Sequence, residues 1–323
     1  MANNTLPFLE GDSHKRLRHI IAPLFLHFVR GGAIDLEAMA EEVLVSLKDK
    51  TEFDFLSSFA TPLSLKVLCH IMGFAEADGT QLKDWSDAFF YLFAPMPSAE
   101  VRQQTDQALQ AFRLYVANVL EHRKRQRRND LISRLLDKRE EGAVFSDSEL
   151  VDNCMLLFAD GIGNVDSGLA NLLAVLLQNP QQLAQLYHKP ELIPQAVDEG
   201  LRLESPGQFI SRIATEDMQW QGQQIKQYQA IFLLLGSANH DEAVFAEPEV
   251  FDLQRDNLNE SLSFGRSSHS CVGAHLVRLE MQAALRVLLA HFSEISLRQK
   301  QLHWRRRRAH RWLESLPLSV ERF

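Results

Sequence analysis

A capping box followed by a long apolar run is the feature that most constrains the fold of this 323-residue chain. Ser146-Asp147-Ser148-Glu149 has the spacing at which a serine and a glutamate side chain each cap the other residue's backbone N–H. Because the residues from Leu150 onward are predominantly apolar, they predict one long buried helix that reaches about Gln178. A buried helix of that length predicts a mainly helical protein.

The rest of the chain supports a mainly α fold with minor β structure. Apolar positions recur at three- and four-residue spacing in residues 35–49, 56–73, 80–93 and 98–127, which predicts further helices. Short strands are predicted at Gln208–Arg212, Met218–Trp220 and Gln229–Leu235, and strand and turn from Trp304 to Phe323. Since neither an internal repeat nor a linker is evident, residues 1–323 are expected to form a single domain.

Composition excludes several classes of protein. A net charge of −8 argues against nucleic acid as a partner. Three cysteines, odd in number and far apart, give neither a disulfide framework nor paired metal-ligand spacing, which favours a reducing cytoplasm. The N-terminus carries no basic-then-apolar signal, and every apolar run is too short to span a bilayer, so we expect no membrane partner.

One cysteine lies in a glycine- and serine-rich loop that runs directly into an apolar helix. The loop spans Phe264 to Gly273, contains Cys271, and is followed by the apolar helix Ala274 to Glu280. Loop amides and a helix N-terminus both favour a thiolate, and small residues let a flat ligand approach the backbone. These are the requirements of a cysteine that ligates haem iron, although an isolated cysteine in such a loop is often an inert thiol.

The loop resembles the haem-binding loop of the cytochrome P450 family. Phe264, His269, Cys271 and Gly273 match the family pattern, whereas Ser267 stands where the family has glycine. The resemblance implies the cytochrome P450 fold and a haem b cofactor whose iron is ligated by the Cys271 thiolate. It also gives Phe264 and Gly273 a place in the haem-binding loop.

Four cations match positions that hold the haem propionates in this family. His14 and Arg18 are one helical turn apart in a segment that resembles the family's His-x-x-x-Arg motif. Arg212 matches a third propionate partner and His269 a fourth. Each is expected to bind the cofactor.

A buried ion network is implied by three further residues. Glu199 and Arg202 resemble the family's Glu-x-x-Arg motif and lie on one face of a helix. Arg255, which follows Pro248 and Phe251, resembles the arginine that completes this network. The three are expected to orient the core rather than to touch substrate.

The long helix departs from the family on the side that would face bound oxygen. Aligning Gly161 with the family glycine puts Gly163 at the position of the usual acid and Asn164 at that of the alcohol. Asp160 lies one turn before Asn164, so Asp160, Gly163 and Asn164 are the catalytic candidates. The alternative is that Asp160 is simply a solvent-facing polar residue. Glycines cost about 1 kcal/mol each in a helix, which suggests a close approach to this face.

The resemblance also implies an apolar substrate pocket and an electron donor. The pocket candidates come from the segments that face substrate in the family: Phe158, Ala159, Ile162, Gln208, Phe209, Ile210 and Trp312. The implied activity is hydroxylation or epoxidation of a small organic substrate, in secondary metabolism, with electrons from a ferredoxin and ferredoxin reductase. That donor is expected to dock on the Cys271 face, where Arg266, Arg278 and Arg286 supply positive charge.

Two basic runs invite a simpler interpretation. Arg123 to Arg128 and Arg305 to Arg308 are taken first as solvated charge, and docking of an acidic partner is the less favoured alternative.

The sequence also allows three alternative functions to be considered. The family places a sizeable region ahead of the segment with His14, and its absence here predicts exposed strand edges and apolar surface. A shortened, non-catalytic helper protein and a peroxide-driven enzyme without the standard proton relay are therefore alternatives. A dinucleotide loop at Gly161 to Gly168 fails on glycine spacing and on the helical run before it.

Overall fold

The structure is a computed structural model that describes residues 4–30, 34–93, 98–299, 301–307 and 309–323. Met1 to Asn3 of the N-terminal segment and Arg308 of the second basic run lie outside the described residues. The helices are α1 (Gly11–Arg30), α2 (Leu36–Val45), α3 (Thr61–Met72), α4 (Gly79–Phe89), α5 (Ala99–Arg125), α6 (Leu131–Glu140), α7 (Asp147–Gln178), α8 (Pro180–His188), α9 (Ile193–Leu203), α10 (Leu235–Ala238) and α11 (Ala274–His291). The prediction of a mainly helical fold is confirmed.

Helix α7 begins at the predicted capping box and runs through the middle of the core. The Ser146 hydroxyl accepts the backbone N–H of Glu149 at 3.1 Å, and the Glu149 carboxylate accepts that of Ser146 at 2.7 Å. Helices α3, α4, α5 and α9 pack around it, so that most of its residues are buried. An apolar surface on all sides of a helix requires such surroundings.

Strands join distant parts of the chain in three small antiparallel sheets. The strands are β1 (Glu52–Asp54), β2 (Ile210–Ile213), β3 (Met218–Trp220), β4 (Gln223–Ile225), β5 (Ala230–Leu233), β6 (Phe292–Leu297) and β7 (Pro317–Arg322). The sheet order is β1-β7-β6, with Phe53 opposite Leu318, and the two others are the pairs β2-β5 and β3-β4. In the first sheet, the C-terminal strand β7 pairs with β1, which lies shortly before α3 in the chain.

Helix α1 is the largest element that the periodicity argument did not identify. Its buried residues Leu17, Ile21, Phe25 and Phe28 follow a helical stripe, but Pro23 interrupts the helix interior. Proline removes a backbone donor there, which normally argues against a helix. Helix α6 and strands β1, β4 and β6 were also missed, because each is short; β1 and β6 depend in addition on pairing with the C-terminal strand β7.

Large apolar side chains are exposed on the two small hairpin sheets. Ile213 is 57% exposed, Phe232 58% and Trp220 62%. In the described part of the chain, none of the helices has the length and apolar character needed to cross a membrane.

Candidate functional site

The loop before α11 is closed on itself around Cys271. The backbone N–H of Cys271 donates to the carbonyl oxygen of Phe264 at 2.9 Å, so the two ends of the loop meet. Gly265 has a φ of +66° and Ser267 a φ of +72°. The left-handed region favours glycine, and Ser267 therefore adopts a strained conformation at the position where the family pattern has glycine.

The Cys271 thiol is accessible but surrounded by groups that oppose one another electrostatically. Desolvation by the surrounding protein, together with the nearby charge of Asp160, raises the pKa of Cys271 to about 11. The backbone N–H groups of Gly273 and Ala274, and the charge of Arg18, lower the pKa of the same thiol. A metal cation bound to sulfur would deprotonate it outright, and the amides would then stabilise the thiolate.

Donors for an anion lie beside the same loop. The imidazole rings of His14 and His269 stack with centroids 4.0 Å apart. The Arg18 guanidinium donates to the carbonyl oxygen of Ser270 at 2.8 Å and to its hydroxyl at 3.1 Å. His14 is 3% exposed and its Nε2 has no partner, a state that costs free energy in a buried polar group.

These residues fit a haem, whose two propionates would supply acceptors to His14, His269 and Arg18. Desolvation lowers the pKa of His14, and the charges of His269 and Arg18 lower it further. An anionic substituent placed there would reverse that effect. Arg212 lies apart from this group in its contacts: it sits on β2 and donates to the carbonyl oxygen of Ser211 at 2.8 Å.

Helix α7 presents a carboxylate to Cys271. The charge of Asp160 is close enough to Cys271 to raise the pKa of the thiol. The Asn164 carboxamide donates to Asp160 Oδ1 at 2.9 Å and to the Asp160 carbonyl oxygen at 3.2 Å. Desolvation raises the pKa of Asp160 to about 6, although the hydrogen bond from Asn164 acts in the opposite direction.

The glycines of α7 mark where other segments approach the helix. A Cβ atom at Gly161 would lie 2.8 Å from Leu68, one at Gly163 2.6 Å from Trp312, and one at Gly168 3.0 Å from Pro206. Each distance is shorter than a carbon–carbon contact allows. The close approach expected from the sequence is therefore made by side chains of three distant segments.

The residues expected to line a substrate pocket fall into two groups. Phe158 packs with Phe74 and Phe112 at centroid distances of 5.1 and 5.8 Å, and Ala159 and Ile162 are equally buried in the core. The Gln208 carboxamide folds back to the carbonyl oxygen of Ser205 at 2.7 Å, Phe209 packs on Phe232 at 5.4 Å, and Ile210 pairs with Leu233.

Trp312 lies at the α7 surface in an aromatic cluster that the sequence did not reveal. Its ring meets Phe90 edge-on at 4.7 Å, lies 4.7 Å from His310, and carries Arg307 on its face at 4.8 Å. The one signal available was the basic run beside Trp312, which was interpreted as solvated charge. Arg307 is instead half-buried against aromatic rings.

Glu199, Arg202 and Arg255 come together in a buried network. The Arg202 guanidinium donates to both Glu199 carboxylate oxygens, at 2.7 and 2.9 Å, and Arg255 Nε lies 3.0 Å from Oε1. Arg202 also donates to the carbonyl oxygens of Asn239 and Pro248 at 2.7 and 2.8 Å. The network therefore joins α9 to the loop that leads toward Cys271.

The cations on the expected docking face all have acidic partners. Arg266 lies 3.3 Å from Glu260, Arg278 2.5 Å from Asp198 and Arg286 3.5 Å from Glu37. These pairs reduce the positive potential that the sequence suggested for this face.

Comparison with known proteins gives one consistent result. The family model described as Cytochrome P450 matches residues 3–306. The biotin biosynthesis cytochrome P450 of Bacillus subtilis (strain 168) is 33% identical over 321 residues, covering 99% of this chain and 80% of that protein. The polyketide biosynthesis cytochrome P450 PksS of the same organism is 34% identical over 316 residues, covering 96% and 76%.

Solved structures agree with the sequence relatives. The crystal structure of P450BioI, in complex with an acyl carrier protein ligated to hexadec-9Z-enoic acid, has a TM-score of 0.91 and 32% identity. That match covers 99% of this chain and 82% of the other. The relatives are monooxygenases, which are oxidoreductases, and their family carries haem held by a cysteine thiolate. On its fold, its family-model match and these identities, the chain belongs to the cytochrome P450 family.

Proposed function

We propose that the chain is a haem-thiolate monooxygenase that hydroxylates or epoxidises a small organic substrate, with Cys271 as the iron ligand. One observation carries the proposal: Cys271 lies in a loop closed by its own backbone N–H on Phe264, beside the stacked imidazoles of His14 and His269 and the guanidinium of Arg18. An inert thiol at a helix start needs no neighbouring stack of two imidazoles in which the buried Nε2 of His14 lacks a partner.

The residues proposed to hold the haem are Cys271, as the iron ligand, and His14, Arg18 and His269, which would bind the propionates. When bound, thiolate-ligated haem supplies activation of oxygen by favouring O–O cleavage. Phe264 and Gly273 give the loop its closed shape, since Phe264 accepts the Cys271 amide and Gly273 caps α11. Arg212 is proposed as a further propionate partner. To bind a propionate, its guanidinium would leave the carbonyl oxygen of Ser211.

Asp160 and Asn164 are proposed to handle the protons that oxygen chemistry consumes. Because Asp160 Oδ1 accepts the Asn164 carboxamide, the acidic proton resides on Oδ2. A pKa near 6 lets this carboxyl exist in both states close to neutral pH, as a general acid requires. Gly163 contributes by having no side chain, because a Cβ atom there would displace Trp312.

The substrate class is proposed from the apolar site and from the relatives. Core residues of α7 and Trp312 favour an apolar molecule. P450BioI was solved with a fatty acyl chain on a carrier protein, and PksS belongs to polyketide biosynthesis. We therefore propose an aliphatic or polyketide-like substrate. A ferredoxin and its reductase would supply electrons, and residues 1–323 would act as one domain in the cytoplasm.

A peroxide-driven reaction is the second candidate. It is favoured by the replacement of the usual acid–alcohol pair with Gly163 and Asn164, and by an acid, Asp160, one turn earlier. Peroxide already carries the electrons and protons that a relay would otherwise deliver. Turnover with hydrogen peroxide, in the absence of any reductase, would distinguish the two candidates.

The test is the absorption spectrum of the purified protein, reduced and exposed to carbon monoxide. A strongly red-shifted Soret band is expected, and Cys271→Ala should abolish it. Cys154→Ala is the matched control, because Cys154 is a buried thiol in α7 and should leave the band unchanged. A colourless wild-type protein would identify the chain as the non-catalytic helper instead.

A further inference from the structure

Arg307 occupies an unusual position for a surface arginine. Its guanidinium carbon lies 4.8 Å from the ring centroid of Trp312, 5.5 Å from that of Phe90 and 5.6 Å from that of Tyr91. Only 20% of the side chain is exposed. Such stacking is favourable for a guanidinium, but rings accept no conventional hydrogen bonds and leave its five N–H donors unused.

The donors around Arg307 lack acceptors in the described part of the chain. The nearest carboxylate, Asp87, is 3.9 Å away, and its other oxygen already accepts Lys83 at 2.8 Å. Trp312 is 1% exposed, and its indole N–H has no partner. A buried donor without an acceptor, such as this indole N–H, costs about 1–3 kcal/mol.

The surroundings of these donors suit an anion. His310 stays neutral near pH 7, because burial and the charge of Arg307 lower its pKa to about 4. Its ring lies 4.7 Å from Trp312 and 5.1 Å from Phe90, so it adds no competing charge to the cluster. Among the described residues, the nearest acid is Asp87, which is itself paired with Lys83.

The position of the cluster connects it to the reacting face of α7. The edge of Trp312 meets the backbone at Gly163, the residue next to Asn164. A ligand group bound by Arg307 and Trp312 would therefore lie beside the part of α7 that carries Gly163 and Asn164. Carboxylates fit both the fork of a guanidinium and a neighbouring indole N–H.

We infer that Arg307 and the indole N–H of Trp312 form a subsite for the carboxylate end of the substrate. The inference rests on the proposed monooxygenase function and narrows it to substrates with an anionic terminus. Arg307 would select the substrate and fix which carbon is presented to the reacting face, without taking part in the chemistry.

Calorimetric titration with decanoate and with decan-1-ol tests this inference. The two probes share the alkyl chain and differ in the anionic end group. We expect decanoate to bind at least about tenfold more tightly, which corresponds to about 1.4 kcal/mol. Equal affinity for the two probes, or no binding of decanoate, would overturn the inference.

Variants test whether the preference for decanoate over decan-1-ol arises at Arg307 and Trp312. Arg307→Met should weaken decanoate about tenfold or more and leave decan-1-ol within about twofold, and Arg307→Lys should recover part of the loss. Trp312→Phe should also weaken decanoate selectively. Arg306→Met is the matched control, because Arg306 is exposed and its loss changes the net charge equally. An equal effect of Arg306→Met would mean long-range charge, not a subsite.

The same preparations separate this inference from the proposed function. A normal carbon monoxide spectrum with no preference for decanoate refutes the subsite alone. Loss of the spectrum with the preference retained refutes haem-thiolate function and keeps the anion site. If Arg307→Met fails to fold, as judged by its melting curve, the wild-type comparison of the two probes decides.

Discussion

The Asn164 carboxamide donates a hydrogen bond of 2.9 Å to the Asp160 carboxylate one turn earlier on α7. Within the cytochrome P450 family motif, these residues take the place of an acid and an alcohol at adjacent positions. The acid has moved back one turn, so that it lies on the same face as Asn164 instead of beside it. The charge of Asp160 also reaches Cys271, where it raises the pKa of the thiol.

Asp160→Asn should remove the pH dependence of turnover near pH 6. A general acid works in its protonated state, so activity should be high below the Asp160 pKa of about 6 and fall as pH rises through it. Loss of a general acid costs about 10²–10⁴ in kcat. The measurement is the pH profile of turnover by the haem-loaded protein with electrons from a ferredoxin and its reductase, because peroxide would bypass the proton delivery under test. An unchanged fall near pH 6 in Asp160→Asn would rule out this assignment.

Asn164→Ala should move the same fall to higher pH. The hydrogen bond from Asn164 lowers the pKa of Asp160, so its removal raises that pKa and keeps the acid protonated longer. The double variant should behave like Asp160→Asn. A shift to lower pH would show that Asn164 acts on another group.

Ser267→Gly should stabilise the Cys271 loop. Ser267 has a φ of +72°, where a side chain costs about 1–2 kcal/mol, while glycine loses about 0.5–1 kcal/mol through unfolded-state entropy. A net gain of about 0.5–1 kcal/mol in the free energy of unfolding is expected, measured by urea denaturation. Ser268→Gly is the control: Ser268 is equally exposed but lacks a positive φ, so the same change should destabilise.

Local signals in the sequence were sufficient for elements that depend on local interactions. The capping box fixed the start of α7, and the order of Glu199, Arg255 and Cys271 allowed the family resemblance to be stated. The pairing of Phe53 with Leu318 could not be predicted, because it joins residues far apart in the chain. Sheet register of that kind is decided by tertiary packing rather than by propensity.

The motifs of the site could be predicted from the sequence, but the contacts between its distant segments could not. Cys271 and its loop follow from adjacent residues, whereas the contact of Trp312 with Gly163 joins two segments that no local pattern relates. The glycines of α7 did signal a close approach. They could not say which side chain would make it.

Arg255→Met should destabilise the protein by about 3–5 kcal/mol. Arg255 is 7% exposed and shares Glu199 with Arg202, so its removal leaves a buried carboxylate with half of its charge partners. Breaking a buried ion pair on one side typically costs that much. Arg266→Met is the control, because Arg266 is 65% exposed and paired with Glu260. Its loss should cost less than about 1 kcal/mol.

Glu280→Gln should make the protein more stable above pH 7 and leave it unchanged at acid pH. Desolvation and the charge of Asp166 raise the pKa of Glu280 from 4.5 to about 7. A hydrogen bond from Ser64 acts in the opposite direction. A raised folded-state pKa means that the proton stabilises the fold: this contribution is complete below pH 4.5 and is lost as pH rises to about 7.

Glutamine resembles the protonated acid, so Glu280→Gln should gain on the order of 1–3 kcal/mol over wild type at pH 8 and nothing at pH 4, since each pKa unit is worth about 1.4 kcal/mol. Urea denaturation at several pH values between 4 and 8 measures the difference. Glu242→Gln, at an exposed acid, should run parallel to wild type across this range. A Glu280→Gln protein that follows the wild-type pH dependence would mean that the pKa of Glu280 is the same in the folded and unfolded states, with the hydrogen bond from Ser64 offsetting its desolvation.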